Sequence, residues 1–399
     1  MNVVVASPVA GLDDVTRRRV LRGLTLTYAL HFASMGLQLP FSALAMSHAG
    51  AGPAVIGAMW TARSLTGAVV PVVWGVLADR LGNARALVLA SLVMGALVMG
   101  TLGLTSTATA AIALFGLYGL VGTAAGTLVD GMVLSALVND AHRYGRYRVF
   151  GSIGFGVAAV VASVLLERGA IEPAPSTLFP VCGALSLMAA LVVWLWVPPL
   201  PRPPTASLGQ FGHALRQPTL WWLILAAGSL WASHAGYVSF LAPLAADAGL
   251  PTSAIGAAVG AAIVCEVITM PLVGAALSRV RAGPLLLACA LVAVARWVAL
   301  TQATSSTSWA LLHSLHGITF GVFFVVVVGA LAARTPPELR HASQGLLTSL
   351  SLGVGGGIGG AIVGGLLEQG LPASTIWWAM AALATVTTAA LVPVVTRLR

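Results

Sequence analysis

The 399-residue sequence contains no lysine and few charged residues of any kind. Its 20 arginines and 11 acidic residues make up only 8% of the chain, whereas a soluble domain carries about 25% charged residues. Apolar residues account for 58% of the sequence, and the mean hydropathy is +0.96. This composition excludes an ordinary soluble domain and predicts a protein that is built for the lipid bilayer.

The usual motifs of nucleotide, metal and covalent chemistry are also missing from the sequence. Cys182, Cys265 and Cys289 lie singly in apolar stretches, without the spacing of a metal site. The glycine-rich run at 353–365 lacks the GK[ST] of a phosphate-binding loop, and no nucleophile elbow is visible. The arginines form no basic face that would indicate nucleic acid. We therefore expect no enzyme, no cofactor, no metal site and no nucleic-acid partner.

Long apolar segments run through the whole chain. About 20 apolar residues are needed to cross the hydrocarbon core of a membrane. Divided at charges and turn residues, the sequence yields twelve predicted spans. They cover about 20–46, 53–77, 86–104, 109–138, 147–166, 177–197, 218–246, 252–277, 284–303, 308–333, 343–367 and 374–396. We therefore predict an all-α membrane protein with twelve transmembrane helices.

The arginines are distributed very unevenly between the two sides of this predicted layout. Seventeen of them lie on the side that carries both termini, and the opposite side holds only Arg168. Arg63 and Arg296 fall within spans. Because cytoplasmic loops of membrane proteins are enriched in positive charge, both termini are predicted to be cytoplasmic.

The longest segment between spans divides the sequence into two similar parts. Residues 198–217 are rich in proline and polar residues, which do not continue a membrane helix. We predict a six-helix bundle over 1–197, a cytoplasmic linker over 198–217 and a second six-helix bundle over 218–399.

The sequence GVLADRLGNAR, which follows the second span, carries the first family resemblance. It resembles the loop signature of the major facilitator superfamily, and Gly75, Asp79, Arg80, Gly82 and Arg85 stand at the expected places. In that family the loop braces one gate. A tight cytoplasmic turn with an acidic helix cap is the alternative interpretation. The resemblance implies a transporter whose two six-helix halves rock around a site at the middle of the membrane.

Further stretches resemble lactose permease and, more closely, the phenylpropionate permeases. They are MGLQLPF at 35–41, YGRYRVFGSIGF at 144–155, ASHAGY at 232–237, CEV at 265–267, ARW at 295–297 and LHGITFG at 315–321. Their common order along nearly the whole chain carries the resemblance.

Three residues of the N-terminal half are predicted to bind the solute. Asp130 is the only acid within a span of this half, and Arg148 follows it by 18 positions. Lactose permease has a sugar-binding acid and arginine at the same spacing, and Phe155 stands where that permease stacks a tryptophan on its sugar. The alternative for Asp130 and Arg148 is a structural ion pair. A smaller ring at 155 favours a solute other than a sugar.

Glu266, Arg296 and His316 lie deep in apolar spans of the C-terminal half and are predicted to couple transport to protons. A charge at this depth costs about 2.5–3.5 kcal/mol, which usually marks a solute or proton pathway. The alternative is a salt bridge between Glu266 and Arg296 that fixes helix packing. Thr319 stands where lactose permease has its proton-coupling glutamate. Either Glu266 carries the proton alone or the protein is not proton-coupled.

Two pairs of polar residues share a helix face in the first and seventh predicted spans. His31 and Gln38 are seven positions apart, and His234 and Tyr237 are three apart. The resemblance implies that these spans line the cavity, so both pairs are predicted solute contacts. Hydrogen bonding between helices is the alternative.

These observations predict a monomeric secondary transporter in a bacterial cytoplasmic membrane. The preferred activity is symport of a proton with a small organic solute, for which the resemblance implies an aromatic carboxylate such as phenylpropionate. Symport of a sugar or nucleoside, efflux of drugs or metabolites, and a non-transporting receptor or scaffold are the alternatives.

Overall fold

The computed structural model describes residues 13–70, 73–74, 77, 83–137, 144–199, 209, 212–213, 215–335 and 340–395. Within these ranges the main elements are helices. In the first half they are α1 (Asp14–His48), α2 (Pro53–Ala68), α3 (Ala84–Leu102), α4 (Ala108–Val121), α5 (Ala124–Leu137), α6 (Tyr144–Glu167) and α7 (Pro175–Trp196). In the second half they are α8 (Pro218–Ser233), α9 (Ala235–Ser239), α10 (Leu241–Asp247), α11 (Ser253–Thr269), α12 (Val273–Leu277), α13 (Ala282–Leu300), α14 (Ser306–Ser314), α15 (Phe323–Arg334), α16 (Arg340–Thr348), α17 (Gly356–Glu368) and α18 (Ala373–Val395).

The prediction of an all-α protein is confirmed for the described residues. Each of the predicted spans overlaps helical residues, and nine of the described helical runs are long and apolar enough to cross a membrane. The seventh predicted span is divided into α8, α9 and α10. The count of twelve crossings, the cytoplasmic termini and the limits of the two bundles remain predictions, and most of 198–217 lies outside the described residues.

Local sequence signals explain where several helices begin. Pro53, Pro175 and Pro218 each open a helix, at a position where the missing N–H of proline costs no hydrogen bond. At the start of α1 the carboxylate of Asp13 accepts a hydrogen bond of 2.8 Å from the backbone N–H of Thr16. This bond lowers the pKa of the Asp13 carboxyl group, because it stabilises the charged form.

The helical path also contains short segments of other geometry. Met270–Leu272 forms one turn of 3₁₀-helix between α11 and α12. Gly317–Val322 and Ser349–Gly355 are π-helical and connect α14 with α15 and α16 with α17. Such π-helical turns occur often at functional sites.

Close helix packing joins the two halves of the sequence. Helix α2 packs against α17, and α6 packs against α11. At the first contact a Cβ atom on Gly57 would lie 3.0 Å from the carbonyl oxygen of Gly360 and from the Cα atom of Gly364. Only glycine therefore allows these two backbones to approach so closely.

Two glutamates reinforce the contact between the halves. The Oε2 atom of Glu368, at the end of α17, accepts a hydrogen bond of 3.0 Å from the N–H of Ala54 in the first turn of α2. The Oε2 atom of Glu167, at the end of α6, accepts one of 3.1 Å from the N–H of Ser253 in the first turn of α11. Each carboxylate therefore caps a helix of the other half, where free N–H groups and the helix dipole favour a negative charge.

The outer surface exposes many large apolar side chains, which would be unfavourable in water. Large exposed side chains include Leu97 at 64%, Leu311 at 66% and Val392 at 61% of their full exposure. Tryptophans are among the largest buried side chains of the second half, and the rings of Trp297 and Trp377 stack with centroids 5.6 Å apart. An apolar exterior of this kind is expected of helices that face lipid tails.

Candidate functional site

A cavity of about 380 Å³ lies between the two halves of the sequence. Helices from both halves line it, and its charged lining residues are Arg63, Arg148 and Glu266. Aromatic rings form much of the remaining wall: Phe32, Trp60, Phe155, Trp231, His234, Tyr237, His316 and Phe320. A cavity of this size, mostly apolar with a few charged groups, is typical of a site for a small organic molecule.

Six of the residues that the sequence analysis selected line this cavity. They are Arg148, Phe155, His234, Tyr237, Glu266 and His316. Asp130, Arg296, His31 and Gln38 do not belong to its lining. Of the predicted gating loop, Gly75, Asp79, Arg80 and Gly82 lie outside the described residues, and Arg85 donates a hydrogen bond of 2.7 Å to the carbonyl of Trp194.

Asp130 and Arg148 lie together as an ion pair, and their predicted contact with the solute remains a prediction. The Nε atom of Arg148 is 3.7 Å from Oδ1 of Asp130, and the hydroxyl of Tyr28 donates to the same oxygen at 2.5 Å. The guanidinium of Arg148 also lies over the ring of Phe32, 4.2 Å from its centroid. The carboxylate and the two rings therefore hold the arginine in one orientation at the cavity wall.

Glu266 makes its hydrogen bond across the boundary between the halves. The hydroxyl of Ser152 on α6 donates to Oε1 of Glu266 on α11 at 3.3 Å. Among the described residues no ion pair joins Glu266 to Arg296, although the two lie in neighbouring spans of the sequence. The salt bridge considered as the structural alternative is therefore not formed in this structure.

Arg296 is instead the start of a buried chain of hydrogen bonds. Its Nη1 atom donates to the hydroxyl oxygen of Thr319 at 3.1 Å, and that hydroxyl lies 3.2 Å from Nε2 of His234. Nδ1 of the same histidine is 2.7 Å from the carbonyl of Leu230. With Nδ1 donating to this carbonyl, Nε2 accepts from Thr319. A threonine at position 319 therefore connects a buried arginine with a histidine of the cavity wall.

The rings around Arg296 extend this connection to the cavity. Its guanidinium carbon lies 4.2 Å from the ring centroid of Trp297 and 5.1 Å from that of Tyr237. Tyr237 packs in turn against His316, with centroids 4.8 Å apart, and His316 stacks on Phe320 at 5.0 Å. Arg296 has no exposed surface, so it acts on the cavity only through these neighbours.

His31 and Gln38 lie behind the cavity wall on α1. His31 is 3% exposed, and its ring meets that of Phe32 edge-on, with centroids 5.5 Å apart. The side-chain nitrogen of Gln38 lies 3.2 Å from Sδ of Met99 on α3. In this structure Gln38 therefore takes part in contacts between helices. A contact between Gln38 and the solute remains a prediction.

Arg63 is a cavity residue to which the sequence analysis gave no role. It lies on α2, and its guanidinium carbon is 5.2 Å from the ring centroid of Trp60 and 5.8 Å from that of Tyr118. Its position inside an apolar span was the available signal. Trp231 and Phe320 were also missed, because an aromatic residue in an apolar helix is not distinguishable from lipid-facing or core residues.

Comparison with known proteins establishes the family. The profile of the MFS_1 like family matches residues 21–379, so the chain belongs to that family. It is therefore a transporter of the major facilitator type and an integral, multi-pass membrane protein, and its relatives are transporters rather than enzymes. The family predicted from the loop signature and the other matching stretches is confirmed.

Relatives with more specific names match half or nearly all of the chain. The "Probable 3-phenylpropionic acid transporter" of Escherichia coli (strain K12) is 26% identical over 226 residues, which are 53% of this chain and 55% of that protein. The match thus spans about half the length of this relative. The crystal structure of the nucleoside transporter NupG superimposes with a TM-score of 0.77 at 17% identity, covering 94% of this chain and 98% of that one.

A second structural neighbour shows the same fold. It is a bacterial homologue of the human lysosomal transporter Spinster, in an inward-facing and occupied conformation. It superimposes with a TM-score of 0.73 at 16% identity and covers 97% of this chain and 98% of that one. At such identities the two structures establish a common fold and nothing finer.

Proposed function

We propose that this protein is a proton-coupled symporter of a small aromatic carboxylate such as phenylpropionate. The observation that carries the proposal is the central cavity, where arginine side chains and aromatic rings face the same space of about 380 Å³. An arginine binds a carboxylate through charged hydrogen bonds, and aromatic rings pack favourably against a ring of the solute. The name of the Escherichia coli relative, a probable 3-phenylpropionic acid transporter, supports the same class of solute.

The proposed mechanism is alternating access of two six-helix bundles, 1–197 and 218–399, joined by the linker 198–217. The cavity lies between residues of both bundles, and the hydrogen bond between Ser152 and Glu266 crosses their boundary. In the proposal Glu266 takes up the transported proton, with Arg296 and His316 adjusting its proton affinity. Protonation removes the charge of Glu266 and thereby changes the contact between the bundles.

Transport into proteoliposomes tests this function directly. We expect the reconstituted protein to accumulate labelled 3-phenylpropionate when the outside is more acidic than the inside, and only to equilibrate it without a gradient. A panel of unlabelled hexoses, nucleosides and aromatic acids then identifies the solute class by competition. Competition by hexoses or nucleosides alone would contradict the proposed aromatic acid and favour the second candidate, a sugar or nucleoside symporter.

We further propose twelve crossings with both termini in the cytoplasm of a bacterium, and a monomer as the functional unit. The uneven distribution of arginines supports this orientation. Reporter fusions after Trp196 and Arg399 test it, because only a cytoplasmic position keeps a fused alkaline phosphatase inactive. Phosphatase activity at either position would contradict the proposed topology.

A further inference from the structure

Arg63 is held in place by aromatic rings and not by an acidic partner. Trp60 on the same helix and Tyr118 on α4 flank its guanidinium, as measured above. Helix α4 approaches α2 closely at this point, because Gly119 packs directly against the backbone carbonyl of Arg63. The arginine therefore lies at the wall of the central cavity, as the eleventh residue of α2.

No counter-charge compensates this arginine within the described residues. Its guanidinium forms neither an ion pair nor a hydrogen bond with any of them, and its Nε atom is buried without a partner. Arg148 differs, since Asp130 lies beside it. An unpaired charge within an apolar span is costly, so an anionic partner that arrives from outside the protein would lower that cost.

The balance of charges around the cavity also favours an anionic solute. Three arginines and two acids lie at its wall or directly behind it in the described part of the chain: Arg63, Arg148, Arg296, Asp130 and Glu266. With all five groups ionised, the positive charges exceed the negative ones by one. Arg296 has no exposed surface and Arg148 is paired. Among these arginines, Arg63 is therefore the one that lines the cavity without a carboxylate beside it.

The surroundings of Arg63 also suit a solute with an aromatic ring. Its neighbour Ser64 lines the cavity, as does Trp231 of the other half. Both lie against Gly356, where an added Cβ atom would be 3.1 Å from the Ser64 hydroxyl and 2.9 Å from Nε1 of Trp231. Ser64, the next residue along α2, thus lies close to the aromatic wall that continues from Trp231 to Phe320, with ring centroids 5.0 Å apart, and Arg63 lines the same cavity.

We propose that Arg63 binds the carboxylate of the transported solute, while the ring of the solute packs against the wall formed by Trp231, Tyr237 and Phe320. This inference rests on the proposed function, in which the solute is an aromatic carboxylate. In this proposal Arg63 distinguishes an acid from an uncharged molecule of the same shape. Arg148 contributes to the binding of both, independently of the charge of the solute.

Two ligands of nearly equal shape test the proposal: 3-phenylpropionate and its neutral amide, 3-phenylpropionamide. Calorimetry on the purified protein should show that the wild type binds the acid more tightly than the amide. In Arg63→Gln we expect the affinity for the acid to fall about 10–100-fold and that for the amide to stay unchanged, because only the charged hydrogen bonds are lost. Arg168→Gln, which removes an exposed arginine, is the matched control and should change neither affinity.

Three results with the variants would overturn the inference. Arg63→Gln could keep the preference for the acid, or it could lower both affinities equally, which would show a structural role. Alternatively, Arg148→Gln could abolish the preference, which would move the carboxylate to Arg148. If the wild type binds neither ligand, the proposed function fails and this inference fails with it. If it prefers the acid and Arg63→Gln does so too, only the inference about Arg63 is wrong.

Chemical protection of the wild type provides a test that needs no variant. Phenylglyoxal modifies accessible arginines, and peptide mapping by mass spectrometry locates the modified ones. We expect 3-phenylpropionate to protect Arg63 from modification and the amide at the same concentration to protect it much less. Equal modification of Arg63 in the presence and absence of the acid would overturn the proposal even if Arg63→Gln does not fold.

Discussion

At the residue scale, three arginines at the cavity wall or directly behind it are held in different ways. Asp130 and Tyr28 hold Arg148, aromatic rings hold Arg63, and a threonine hydroxyl holds Arg296. Of these three, only Arg148 has a carboxylate of the described residues beside it. The three arginines are therefore expected to respond differently when a solute or a proton enters.

The pair of Asp130 and Arg148 should be required for tight binding of the solute. Asp130→Asn removes the charge that orients Arg148, and Arg148→Ala removes the guanidinium from the wall. We expect each variant to weaken binding of both 3-phenylpropionate and its amide, in calorimetry on protein that still folds. Unchanged affinities in both variants would mean that the pair has only a structural role.

Glu266 should be needed for coupling to protons but not for exchange of solute. It is the only acid within a predicted span of the second half, and its neighbour across the boundary is the neutral Ser152. Glu266→Gln keeps the shape and cannot lose a proton. We therefore expect it to abolish accumulation driven by a pH gradient in proteoliposomes while exchange of labelled for unlabelled solute continues.

The control for this experiment is Glu172→Gln, which changes an exposed acid between α6 and α7. It should accumulate solute like the wild type. Continued accumulation by Glu266→Gln would place the proton on another group, and Asp130 would be the next candidate. If the wild type ignores the gradient altogether, the protein is a uniporter.

At the scale of helices, α2 occupies a central place in the structure. It packs against α4 within its own half and against α17 of the other half, and it carries Arg63 between these contacts. Both contacts depend on glycine, at Gly119 on α4 and at Gly57 on α2. A helix that contacts both halves and carries a cavity charge can transmit the state of the cavity to the contact between the halves.

Gly119→Val should separate α2 from α4. Any Cβ at this position meets the carbonyl oxygen of Arg63 and the hydroxyl of Thr66, both of which belong to a packed helix. Overpacking of this kind costs about 1–3 kcal/mol. We expect a lower midpoint of thermal unfolding in detergent, together with weaker binding of the acid. Gly100→Val is the control, since an added Cβ at Gly100 meets nothing within 4 Å.

At the scale of the whole molecule, the two halves meet through contacts of the same kind. Glu167 caps α11 and Glu368 caps α2, and in each case a helix of one half ends at the first turn of a helix of the other. In the proposed topology both contacts lie on the side of the membrane opposite the termini. In the proposed topology the caps therefore join the halves on that side, and in the proposed rocking mechanism the opening of that side would break both caps.

Removing the two caps should loosen this side of the protein. A lost cap costs about 0.5–2 kcal/mol, so Glu167→Ala combined with Glu368→Ala should speed hydrogen exchange in the first turns of α2 and α11 about 2–30-fold per lost cap. Exchange measured by mass spectrometry at 53–57 and 253–257 checks this. Glu172→Ala should leave both segments unchanged, and equal exchange in the double variant would show that the caps do not hold the halves together.

The sequence by itself determined the class of this protein. A continuous run of about 20 apolar residues crosses lipid as a helix, because the helix satisfies every backbone N–H and C=O group within the segment itself. The loop signature and the other matching stretches indicated the family. Arg148, Phe155 and Glu266, which line the cavity, could be selected because charges and matching motifs are rare in apolar helices.

Only the tertiary structure decided which partner each of these residues has. A helix in a membrane is apolar both toward lipid and toward its neighbours, so the pattern along the sequence does not reveal which face points into the cavity. That is why Gln38 was selected although it lies behind the wall, and Arg63 was left without a role although it faces the cavity. Arg296 likewise has Thr319 as its partner rather than Glu266. This pairing depends on how α13 packs against neighbouring helices, and the sequence does not reveal those distances.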